Sequence, residues 1–190
     1  MASESHTAPA AANAPPVDPN LLGKGLAALR IFVGVIAFSN GLAKLFSFRD
    51  IEIGPYAGNL IDRPLTKQIL DIETNKTNGG EGTELPLLPS IVNDFIIPNF
   101  GWLQWVITFV ELGVGALLIV GLASRGAALV GLGQQLFIAA LYFSSNRFVF
   151  EQPHEYVPLA ILALVPAGRV WGLDARITRQ SHARLGRWPF

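Results

Sequence analysis

FGWLQWVITFVELGVGALLIVGL, residues Phe100–Leu122, is interrupted only by Gln104, Thr108 and Glu111. An α-helix of about 20 mostly apolar residues crosses about 30 Å of hydrocarbon, so this stretch reads as a membrane span. Glu111 is the twelfth of its 23 residues and is expected near the bilayer midplane. Three further segments flank it. Ala123–Phe143 is apolar apart from Arg125, Gln134, Gln135 and small polar residues. Leu22–Phe46 carries Lys24, Arg30, Asn40 and Lys44. The shorter His154–Trp171 contains Pro158 and Pro166, whose freed backbone groups neighbouring helices can satisfy. The expected architecture is all-α: an integral membrane four-helix bundle, residues 21–175, with a long extracytoplasmic loop at 48–99. Residues 1–20 read as a flexible cytoplasmic extension and 176–190 as a basic cytoplasmic tail.

Composition agrees with lipid as the solvent. Only 15% of residues are charged and 51% are hydrophobic, whereas soluble domains average about 25% charged. Residues 1–20 are rich in Ala and Pro and lack a basic n-region, so they are not read as a signal peptide. The chain has no cysteine, which excludes disulfides, thiolate metal sites and cysteine-held iron–sulfur clusters. Its three histidines, His6, His154 and His182, have no second histidine at helical spacing. No haem, metal or iron–sulfur cluster is expected, and no nucleic-acid partner.

Orientation follows the distribution of Lys and Arg. Arg169 closes the fourth segment, Arg176, Arg179, Arg184 and Arg187 follow it, and Arg125 lies in the link between the second and third. The 52 residues from Phe48 to Asn99 hold four basic and eight acidic side chains. Both termini and the Arg125 turn are thus expected in the cytoplasm of a bacterial inner membrane. The first loop and Ser144–Pro153 then face outward. Trp102, Trp105, Tyr142 and Tyr156 would mark the outer interface and Trp171 the inner one. Within the loop, Asp62–Glu73 suits a short polar helix and Lys76–Gly82 a flexible turn. Leu85–Phe100, broken by three prolines, is expected to lie along the outer membrane surface.

Polar side chains at bilayer depth are costly and mark buried contacts or functional sites. Arg30, Gly34, Ala37, Gly41 and Lys44 share one helical stripe with Asn40 beside it. Gln104, Thr108, Glu111 and Gly115 share another, as do Gly131, Gln135, Ile138 and Tyr142 with Gln134 at the edge. A long Arg30 side chain reaching Glu111 is the favoured contact, whether it sets helix register or forms a site. Lys44 is expected to snorkel to the outer interface, and the two glutamines to bond between helices. The expected catalytic pair is Glu111 and Arg30, with Asn40, Lys44, Gln104 and Gln135 available to hold a ligand.

Three stretches together suggest a family. They are Asn40-Gly-Leu-Ala-Lys-Leu45, Glu111-Leu-Gly-Val-Gly-Ala-Leu-Leu-Ile-Val-Gly-Leu-Ala-Ser-Arg125 and Gly168-Arg-Val-Trp-Gly-Leu-Asp174. In this order they resemble the DoxX/DoxD family of small four-helix membrane proteins, over about residues 22–176. The long insert before Pro98-Asn99-Phe100 is similar to the DoxD branch, which includes a thiosulfate:quinone oxidoreductase subunit. The resemblance implies Arg30, Asn40, Lys44, Glu111, Arg125 and Asp174 as motif positions. It also implies a small sulfur anion as substrate and a quinone as electron acceptor. Two function classes stay open on the sequence: a quinone-linked oxidoreductase subunit, and a non-catalytic subunit that stabilises a larger respiratory or photosynthetic membrane complex. A small transporter fits less well, because no inverted repeat is visible.

Overall fold

The computed structural model describes residues 18–76, 83–143, 152–180 and Pro189. It is mostly helical. Helix α1 (Pro19–Phe46) starts where the Asp18 carboxylate accepts from the Asn20 amide and Pro19 occupies the first turn, a position where a missing N–H costs nothing. A two-stranded hairpin follows, β1 (Asp50–Ile53) antiparallel to β2 (Tyr56–Asn59), with Asp50 opposite Asn59. The sequence reading did not anticipate this hairpin, so the fold is not strictly all-α. Helix α2 (Arg63–Asn75) is the expected polar helix, capped by Asp62 through the Leu65 amide. A one-turn α3 (Leu88–Ser90) runs into a π-helical segment (Ile91–Ile96). The long helices α4 (Phe100–Val120) and α5 (Ser124–Leu141) come next, then α6 (Pro153–Leu164), a 3₁₀ turn (Ala167–Arg169) and α7 (Asp174–Gln180).

Helices α1 and α4 are long and apolar enough to cross a membrane; only 17% and 22% of their apolar windows are buried within the chain. Helix α4 stops at Gly121, whose φ of 67° closes its end with a left-handed residue, a conformation glycine adopts without Cβ strain. The fourth helix is shorter than expected. It ends before Val165, which is extended ahead of Pro166 because the proline ring excludes the helical conformation from the preceding residue. The Ser144–Pro153 loop, the 1–20 extension, the Lys76–Gly82 turn and the arginine tail lie wholly or largely outside the described residues.

Two apolar clusters organise the packing. Val114 and Leu118 of α4, Ala127 and Ala128 of α5, Leu159 and Leu162 of α6, and Ala167 form one. Leu70, Leu88, Val92, Phe100 and Leu141 form the other, which fastens the 48–99 loop to the start of α4 and the end of α5. Each side chain fully buried in this loop layer is worth about 1.5–3 kcal/mol. Leu87, Ile91 and Phe95, at spacings of four, stay exposed, while Leu88 and Val92 face inward.

Candidate functional site

The geometry of the site comes from the seam between α1 and α4. An added Cβ on Gly34 would lie 2.9 Å from Leu118 and 3.0 Å from the Gly115 carbonyl. On Gly41 it would lie 2.7 Å from Leu112, and on Gly115 it would strike the Phe38 backbone. Residues that ascend α1 therefore meet residues that descend α4. The helices run antiparallel in a close small-residue contact of the kind membrane helices favour.

That register decides which charges meet. Lys44 lies one turn past Gly41 and faces Glu111, so its Nζ stands 2.8 Å from Glu111 Oε2. The contact is an ion pair. Gln134 of α5 donates through Nε2 to Glu111 Oε1 at 2.7 Å. The side chains of Lys44 and Glu111 are 5% and 12% exposed. Lys44 does not snorkel; the close approach at Gly41 holds it against α4.

The Arg30–Glu111 contact does not form. Arg30 faces the far end of α4, 14 positions before Lys44 and thus about 21 Å along the helix at 1.5 Å per residue. It is fully buried, and its Nη2 donates to the Trp171 carbonyl at 3.1 Å. Trp171 holds a φ of 51°, a left-handed conformation uncommon for a bulky residue. Asp174 lies close enough to interact with the guanidinium electrostatically. Its carboxylate, however, accepts from the Ala123 amide at 2.7 Å, the Ser124 amide at 3.1 Å and Ser124 Oγ at 2.7 Å, which caps α5.

The remaining expected ligand-holding residues do not converge. Asn40 donates to the Ile36 carbonyl and Gln104 to the Gly101 carbonyl, each within its own helix. Gln135 is half-buried; its neighbour Gln134 is the one that reaches Glu111. Arg125 donates through Nε to the Ala163 carbonyl at 3.1 Å and ties α5 to α6. Sequence spacing put Gln134 at the edge of its face, and only the rotation of α5 against α4 selects it.

Above the ion pair the loop closes over α1. Helix α1 ends at Phe46, and the register leaves the first two turns of α4 projecting beyond it. The start of α2 reaches into that step. Arg63 sits 4.2 Å over the Trp105 ring and donates to Ser47 Oγ at 2.8 Å. Arg49 Nε donates to Asp62 Oδ2 at 2.8 Å. Burial alone would raise the Asp62 carboxyl, but the hydrogen bonds from Arg49 and the Leu65 amide, with the charges of Arg49 and Lys44, hold it below the usual carboxylate range. The Asp62 hydrogen bond in turn raises Arg49. Asp62, missed by the sequence reading as anything but a helix start, thus completes an alternating series of charges: Arg49, Asp62, Lys44, Glu111.

Among the described residues no group of His, Cys, Asp or Glu could hold a metal ion. The chain matches no family model, no curated protein sequence and no solved structure.

Proposed function

We propose that this chain is a multi-pass bacterial inner-membrane protein, a four-helix bundle of the DoxX/DoxD kind that serves a membrane redox complex. Its functional centre on this reading is the Lys44–Glu111–Gln134 cluster. The single observation that carries it is a buried carboxylate, ion-paired and hydrogen-bonded from two other helices, one turn beneath the outer step of a helix pair apolar enough to span a bilayer. On this reading α5 is the third span, and the 12-residue α6 makes the fourth crossing only together with the chain that continues it to Trp171. They pack on α4 from within, and Leu129, Val130, Leu136, Val157, Ile161 and Leu164 are exposed on their outer faces, which lipid would cover. Both termini and the Arg125 turn are cytoplasmic on this reading.

Reduction of a quinone takes two electrons and two protons. On the catalytic reading the Glu111 carboxylate, 12% exposed, first takes up a proton from water and then passes it to the reduced quinone oxygen. Lys44 balances the carboxylate left behind, and the second proton comes from water directly. Electrons would come from a small sulfur anion, thiosulfate in the branch that the chain resembles, at the outer face. A second reading has its own support. The α1–α4 seam is closed by Gly34, Gly41 and Gly115 and leaves no room for a quinone ring there, which favours a non-catalytic subunit that stabilises a larger complex.

Turnover of the purified complex separates the two. With Glu111→Gln, thiosulfate-dependent quinone reduction is expected to fall by about 100-fold or more, with assembly in mild detergent unchanged. Full activity in that variant sinks the catalytic reading. Stoichiometric copurification with redox subunits, together with no effect of Glu111→Gln, establishes the accessory one.

A further inference from the structure

Where α4 ends, a surface depression of about 390 Å³ is lined by Val120, Trp171, Gly172, Leu173, Ala175 and Arg176. Half of this lining is apolar and exposed: Trp171 is 61% accessible, with Val120 and Leu173 also in the open. One residue of the lining, Arg176, is charged. Arg176 is exposed and enters none of the ion pairs among the described residues. Behind the floor lies the fully buried guanidinium of Arg30, whose Nε and Nη1 have no hydrogen-bond partner. Its Nη1 would stand 2.7 Å from a Cβ placed on Gly172, so this charge sits directly beneath the lining. Asp174 does not cancel it by direct pairing, because its oxygens are engaged by Ala123 and Ser124. Lys24, also exposed, follows Gly23, where an added Cβ would lie 3.0 Å from Val170, and adds a cation at the same end.

We propose that this depression binds the phosphate headgroup of one anionic phospholipid from the cytoplasmic leaflet. Arg176 contacts the phosphate, Arg30 attracts it from beneath Gly172, and the acyl chains leave over Val120 and Leu173. An apolar half with an exposed tryptophan suits the membrane interface and is poor surroundings for a hydrated free ion, which selects the lipid over soluble phosphate. The proposal rests on the membrane reading above but not on any redox role.

Native mass spectrometry of the full chain in neutral detergent, titrated with phosphatidylglycerol, phosphatidylcholine or inorganic phosphate, tests it. One phosphatidylglycerol is expected to bind in preference to phosphatidylcholine and to resist displacement by phosphate. Each basic residue near an anionic lipid is worth about 1 kcal/mol, so Arg176→Gln is expected to weaken binding about fivefold. Arg176 is on the surface, so that variant keeps the fold. Equal retention of the two lipids, displacement by inorganic phosphate, or an unchanged Arg176→Gln affinity overturns the proposal. A chain that stays soluble and monomeric without detergent overturns the membrane reading itself.

Discussion

At the scale of single residues, charge placement is governed by what lies one helical turn away. Lys44 has a long, flexible side chain, but Gly41 draws its helix so close to α4 that Glu111 is its partner. Asp62 feels the charge of Lys44 and ties the start of α2 to Arg49. Its carboxyl is held low, so it stabilises the fold above the unfolded value of about 3.9. That contribution is lost as the pH falls through the lower folded value. Asn caps helices as well as Asp does, so Asp62→Asn removes the charge and keeps the cap. Thermal melting in detergent is expected to show a smaller loss of Tm between pH 6 and pH 3 in Asp62→Asn than in the unaltered chain. Equal losses would mean that Asp62 ionisation contributes nothing to the loop layer.

Among elements, the α1–α4 seam is the contact on which the site depends. Gly115 faces the Phe38 backbone, whereas a Cβ at Gly113, two residues away on the same helix, meets nothing within 4 Å. Backbone cannot yield as a flexible side-chain tip can, and overpacking costs about 1–3 kcal/mol. Gly115→Ala is therefore expected to lower stability by at least about 1 kcal/mol and to separate Lys44 from Glu111. Gly113→Ala is expected to be neutral or stabilising by up to about 1 kcal/mol, because alanine favours the helix over glycine. Unfolding titrations of the two variants in mixed micelles measure the contrast, and equal effects would rule out the close seam. Pro166 acts at the same scale: it ends α6 early and turns the following chain so that the Trp171 carbonyl meets Arg30.

For the whole molecule, orientation is the property to establish. The absence of native cysteine makes single-cysteine labelling direct. Lys67→Cys in α2 is expected to react with an impermeant maleimide from outside intact cells. Arg176→Cys is expected to react only after permeabilisation. Labelling of both from the same side would contradict the proposed arrangement and would leave only a mostly helical chain with two helices of spanning length.

The run Phe100–Leu122, the first helix, the polar helix after Asp62 and the inward stripe Arg30–Gly34–Gly41–Lys44 were legible from residue order, because hydrophobic length and helical period are local properties. Partner choice was not. Arg30 and Lys44 lie on one stripe and either could reach a carboxylate, so periodicity alone could not say which one meets Glu111. The antiparallel register of α1 on α4, set by three glycines that touch across the seam, gave Glu111 to Lys44. The same register sent Arg30 to a carbonyl 141 residues away in sequence. Residue order determines which side chains must be buried, but the docking of helices determines what each buried charge finds.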